Sequence, residues 1–159
     1  MTRSKYWIWR EPAENDYAQL IEFCAKRCPN CTFVVRQPQQ FGKNCHQFLA
    51  SQKGHLIEVA DQMEWPGTKL MGHTARVYWY RVTPELIAAL KGKVRSLYEW
   101  VFPDLPEDLA FYWPDGSGLL GTCSHERFAF VNLAEKEIDE FKQEVPGLPL
   151  NKIPPRELV

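Results

Sequence analysis

The chain has 159 residues, 45% hydrophobic and 25% charged, with 19 basic against 20 acidic side chains and a net charge of −1. That length suits one domain able to bury its own core without disulfide or metal staples, and 13% aromatic residues exclude a disordered chain. Balanced charge excludes a globally basic surface of the nucleic-acid-binding kind, and no apolar run reaches the length of a membrane span, so neither nucleic acid nor membrane is an expected partner.

The opening residues, Met1 to Arg10, carry basic side chains but no apolar core, which argues against a signal peptide. An odd number of cysteines, five, suits free thiols in a reducing, cytoplasmic setting. Lys5–Arg10 is aromatic and β-branched and reads as a strand. Tyr17, Leu20, Ile21 and Cys24 follow at helical spacing, and Pro29 ends that helix. Thr32–Arg36 reads as a second strand and Gln37–Lys43 as a polar loop. From Asn44, the residues Phe48, Leu49, Leu56, Val59, Ala60 and Met63 can share one helical face, interrupted at Gly54. Trp65-Pro66-Gly67-Thr68 is a stop and turn. Thr74–Val82 is the strongest strand signal.

Thr83 and Pro84 open a helix to about Trp100, with Ile87, Leu90, Val94, Leu97 and Val101 recurring at three and four. Pro103–Asp108 is an acidic, proline-bearing loop. Leu109–Trp113, Gly118–Cys123 and Phe128–Val131 read as a three-strand meander, with Pro114-Asp115-Gly116-Ser117 as the first turn. Asn132, with Glu135 three residues later, caps a last helix through Phe141. The expected fold class is α+β. Residues 1–145 form a single domain with a mixed sheet of about six strands, a C-terminal antiparallel meander and about four helices, followed by a proline-rich tail over residues 146–159.

Cys24, Cys28 and Cys31 have the spacing Cys-x3-Cys-x2-Cys of a radical-enzyme iron–sulfur motif, but the chain is too short for the barrel such chemistry uses. Cys24 also lies on the apolar stripe and reads as a buried thiol. A zinc site from Cys28, Cys31, Cys45 and His46 would need two spaced pairs, and the second pair is adjacent. No metal site and no cofactor is assigned. Gly116-x-Gly118-x-x-Gly121 matches a dinucleotide fingerprint only as a pattern, because a strand rather than a helix follows it.

Ser124-His125-Glu126 is the polar cluster with most chemical content. His125 can exchange a proton near neutral pH and Glu126 can orient it or act as a base, so these two are the candidate catalytic pair. Candidate binding residues are Trp65 and His73 beside turns, Asp104, Glu107 and Asp108 in the acidic loop, and Tyr112 on the following strand. Aromatic side chains beside acidic ones suit recognition of a protein partner.

Taken together, Trp65-Pro66-Gly67-Thr68, Gly72-His73-Thr74, Leu105-Pro106-Glu107-Asp108-Leu109 with Phe111-Tyr112, Ser124-His125-Glu126 and the opening Tyr6-Trp7-Ile8-Trp9 resemble a family of uncharacterised small bacterial proteins, some labelled as sporulation proteins. The resemblance runs from about Tyr6 to Phe141. It implies a bacterial, soluble, single-domain protein and carries no activity, cofactor or catalytic residue. The three-cysteine cluster and the proline-rich tail stand outside its pattern.

The favoured reading is a binding or interaction module, regulatory or immunity-like, whose face runs from Pro103–Asp108 to Ser124–Glu126 and recognises a protein or a small molecule. Alternatives are a hydrolase using His125 with Glu126, and a cysteine-based zinc or redox protein. Oligomeric state is left open.

Overall fold

The aromatic and β-branched run near the N-terminus forms strand β1 (Ser4–Ile8). The apolar stripe forms helix α1 (Asn15–Ala25), which buries Tyr17, Leu20, Ile21, Phe23 and Cys24. The computed structural model describes residues 2–37, 40 and 42–155. Positions 38, 39 and 41 of the expected polar loop and residues 156–159 of the tail lie outside the described residues.

Strand β2 (Asn30–Val35) is buried over nearly its whole length. Helix α2 (Lys43–Ser51) buries Cys45, Phe48 and Leu49. A short turn of 3₁₀ helix, Lys53–His55, leads into strand β3 (Leu56–Gln62). Here the helical expectation fails. Leu56, Val59, Ala60 and Met63 do not line one helical face, because the chain straightens at Leu56 and pairs with the next long strand. The strand is a sheet edge, so its side chains are mostly exposed and give no alternating signature.

Trp65-Pro66-Gly67-Thr68 is more than a turn. It joins strands β4 (Glu64–Trp65) and β5 (Thr68–Lys69) in a small hairpin. Strand β6 (Ala75–Arg81) follows. Helix α3 (Pro84–Lys93) starts as expected, with Thr83 Oγ1 accepting from the Leu86 N–H at 3.1 Å. It stops short of Trp100. Val94 is extended, and a separate 3₁₀ turn, Leu97–Glu99, is capped by Ser96 and Glu99.

Strands β7 (Glu107–Tyr112), β8 (Gly118–Cys123) and β9 (Phe128–Leu133) form the meander. Helix α4 (Glu135–Glu144) begins after Ala134, whose N–H donates to Glu137 at 2.8 Å. Asn132 is not its cap. It lies in β9 and donates to the Gly118 carbonyl across the sheet. Strand β10 (Leu150–Asn151) pairs with β1.

The main sheet has eight strands, not about six, and it is antiparallel throughout rather than mixed, in the order β10-β1-β9-β8-β7-β2-β6-β3. Two strands were missed. One is the edge strand read as helix, and the other is the two-residue pairing in the tail. The four α-helices and the sheet make one compact α+β body among the described residues.

One sheet face packs on the helices around Phe33, Tyr80, Leu90, Trp100, Phe111 and Phe141. Dense aromatic packing there removes most of the chain's apolar surface from water. The other face carries a smaller cluster, Val34, Trp65, Leu70, Ala75 and Val77, covered by the β4–β5 hairpin. Gly67, with φ +100°, brings the hairpin turn onto β8. A side chain there would come within 3.4 Å of the Thr122 carbonyl oxygen. No helix among the described residues is long and apolar enough to cross a membrane.

Candidate functional site

Antiparallel pairing decides which residues can meet. β7 runs opposite to both β2 and β8, so the end of β2, the start of β7 and the end of β8 share one end of the sheet. Arg36 follows β2, Glu107 and Asp108 open β7, and Cys123 closes β8. A tight turn follows β8, closed by the Arg127 N–H donating to the Ser124 carbonyl at 3.1 Å. The turn lifts His125 and Glu126 into solvent while Cys123 and Ser124 stay buried.

Asp108 is the anchor. It is fully buried, and its φ of 56° is a left-handed conformation that Asp tolerates better than most residues. Its Oδ1 accepts the Ser124 N–H at 2.9 Å, and its Oδ2 accepts the Trp65 indole N–H at 2.9 Å and an Arg36 N–H at 3.2 Å. The Asp108 N–H in turn donates to Ser124 Oγ at 3.2 Å. A buried carboxylate needs such partners to offset the loss of water.

Glu107 is less well served. Its side chain is 5% exposed, and Arg36 Nε faces its Oε2 at 3.3 Å without the alignment of a hydrogen bond. Burial pushes its carboxyl up to about 7, the neighbouring Asp108 adds to this, and Arg36 opposes it. His125 Nδ1 lies 3.8 Å from the same Oε2, with the imidazole about half exposed. A shallow groove of about 220 Å³ opens here, lined by Arg36, Val101, Phe102, Glu107 and His125.

Cys123, buried at the end of β8, lies beside His125. Its thiol donates to Glu126 Oε2 at 3.5 Å and lies 3.9 Å from His125 Nδ1. Burial pushes it up to about 12, helped by the charges of Asp108 and Glu126. The thiol is therefore a poor nucleophile at neutral pH. Ser124 is no better placed, because it is buried and its Oγ is already engaged by Asp108.

Of the residues singled out in the sequence, the structure brings Trp65, Glu107, Asp108, His125 and Glu126 to one corner. It does not bring the others. Asp104 is exposed on the loop before β7. His73 is exposed, its Nδ1 3.1 Å from the Met71 carbonyl oxygen. Tyr112 lies at the far end of β7, buried, with its hydroxyl 3.0 Å from Thr32 Oγ1 and its ring 4.6 Å from that of Trp79. Cys24, Cys28, Cys31 and Cys45 are free and buried. Burial raises all four thiols, Cys28 to about 12 and Cys45 to about 11.

Sequence reading missed Arg36, Val101 and Phe102. Arg36 carries one weak signal, a charged side chain at the end of a buried strand. Val101 reads only as the last member of a helical stripe, and Phe102 carries no signal. No family model, curated protein or solved structure matches the chain.

Proposed function

We propose that the protein is a non-catalytic binding module that seats a basic segment of a protein partner in the groove over Glu107. The observation that carries this reading is the state of Glu107, a nearly buried carboxyl on the floor of an open groove, held by an imperfect ion pair. Two carboxylates, Glu107 and Asp108, share one guanidinium there, Arg36. A lysine or arginine from a partner would supply the missing charge, and Val101 and Phe102 would cover its aliphatic stem. The hydrolase alternative gains nothing from the geometry, since neither Cys123 nor Ser124 is presented as a nucleophile to His125 and Glu126.

The test is a screen of the purified protein, in chelator, against an array of short peptides of varied charge. Peptides pairing Lys or Arg with an apolar residue are expected to bind. Their affinity should fall about tenfold in Glu107→Gln, the size of one charge-assisted contact. It should rise as pH increases through about 7, because Glu107 must ionise to bind a cation. Selection of acidic peptides, or of none, overturns the reading.

A further inference from the structure

We propose that Cys123, His125 and Asp108 form a binding site for a single zinc ion, with Glu126 as the fourth donor. This is a different ligand from the basic segment above, and the two sites share His125 and adjoin at Asp108.

The donor set is what zinc takes: one sulfur, one imidazole nitrogen and carboxylate oxygens. Hard cations such as calcium and magnesium would not choose a thiol. Among the described residues, the one group of three or more such side chains whose ligand atoms all lie within 4.8 Å of one another is Asp108, Cys123 and His125. Two donors on one tetrahedral zinc lie about 3.3–3.8 Å apart, given zinc–ligand bonds of about 2.0–2.3 Å. The thiol sits 3.9 Å from His125 Nδ1 and 3.5 Å from Glu126 Oε2, near that spacing, whereas Glu126 stands outside the 4.8 Å group and must swing toward Asp108 and His125 to join it.

The backbone explains why these atoms converge. Cys123 ends β8, and the turn that follows returns His125 and Glu126 over it. Asp108 arrives from the neighbouring strand β7.

Asp108 is also braced as a ligand should be. A carboxylate offers about four acceptor positions, and the Ser124, Trp65 and Arg36 N–H groups occupy three of them. These outer partners fix its orientation, as they do around bound metals generally. The carboxylates here attract a cation, and the Arg36 guanidinium, 3.2 Å from Asp108 Oδ2, opposes them. The thiol lies among the carboxylates of Asp108 and Glu126, with Glu107 close to His125. On binding, the metal takes the sulfur lone pair, the S–H bond breaks, and one proton passes to water.

The cysteines that first suggest metal in the sequence are not part of this site. Cys24, Cys28 and Cys31 are buried members of the core cluster on the helical side of the sheet, which makes them suitable controls.

The experiment uses the full chain, stripped with chelator and titrated with zinc by calorimetry and with cobalt by absorption spectroscopy. One equivalent of zinc is expected, and a thiolate-to-cobalt charge-transfer band. Cys123→Ser should abolish the band, and both Cys123→Ser and His125→Ala should weaken zinc binding at least about 100-fold. Cys28→Ser should leave both signals intact. Because the His125 side chain is half exposed, His125→Ala keeps the fold and remains informative if Cys123→Ser does not. Absence of saturable binding, or binding unchanged in His125→Ala, overturns the site. The peptide screen is run in chelator, so either proposal can fail without the other.

Discussion

Trp65 and Asp108 stand 43 positions apart and are joined by a 2.9 Å hydrogen bond from the indole N–H to the carboxylate. The bond ties the β4–β5 hairpin to the first residues of β7. Through Asp108 it also ties the hairpin to Ser124 and Arg36. The hairpin, which covers one face of the sheet, and the acidic corner are therefore one unit, and substitutions at Asp108 test both.

Asp108→Asn keeps the shape and tolerates the left-handed backbone, but it removes the charge facing Arg36 and turns an amide N–H₂ toward groups that are themselves donors. Breaking a buried charge network from one side is costly. The variant should lose about 3 kcal/mol of unfolding free energy, read from the shift of the urea midpoint at constant slope. A shift equivalent to less than about 0.5 kcal/mol, the range of ordinary surface substitutions, would show that the carboxylate is dispensable.

Glu107 gives a pH signature. Its carboxyl is raised from 4.5 to about 7 in the fold, so folding favours the protonated form. That stabilisation is complete below about pH 4.5 and is lost as pH rises through 7. Glu107→Gln imitates the protonated state at every pH. The stability of the variant relative to the native protein should therefore climb by about 2 kcal/mol between pH 4.5 and pH 8. Urea unfolding at both pH values measures the difference, and parallel behaviour of the two proteins would contradict the raised value.

Gly121 is required by a ring. The Phe130 side chain lies across it, so an added Cβ would sit 2.3 Å from the ring's far carbon. Phe130 cannot simply rotate away, because Trp7 packs edge-on against it at 5.4 Å and the Lys5 ammonium lies 4.2 Å from its centre. Gly121→Ala should cost about 1–3 kcal/mol, the usual penalty of overpacking. Thermal unfolding reads it, and an unchanged midpoint would mean that the ring has room to move.

Arg3 pins the start of α4 to β1. Its guanidinium holds both oxygens of Glu137, at 2.9 and 3.0 Å, and lies over the Trp113 ring at 3.7 Å. Lysine retains the charge but neither the fork nor the flat stacking face. Arg3→Lys should lose about 1 kcal/mol of unfolding free energy, measured by urea titration. Equal stability would show that charge alone suffices at this position.

Local patterns made much of the architecture legible. The stripe from Tyr17 to Cys24, the Thr83-Pro84 helix start and the three meander strands each express a period or a cap that a short window contains. The exception is Leu56–Gln62, whose apolar residues also fit a helical face. Its strand state comes from pairing with β6 at the sheet edge, outside any local window.

The corner was legible in pieces. The acidic pair Glu107-Asp108, the turn Ser124-His125-Glu126 and Trp65 all carry residue types that do chemistry or recognition. Arg36, Val101 and Phe102 did not stand out, and His73, Asp104 and Tyr112 stood out without joining the others. Residue type and backbone preference are properties of a few neighbouring positions, and they settle which segments are helix, strand or turn. Which of those segments touch depends on strand order and register. These follow from the summed burial and hydrogen bonding of eight strands at once, and no single stretch of the chain contains that sum.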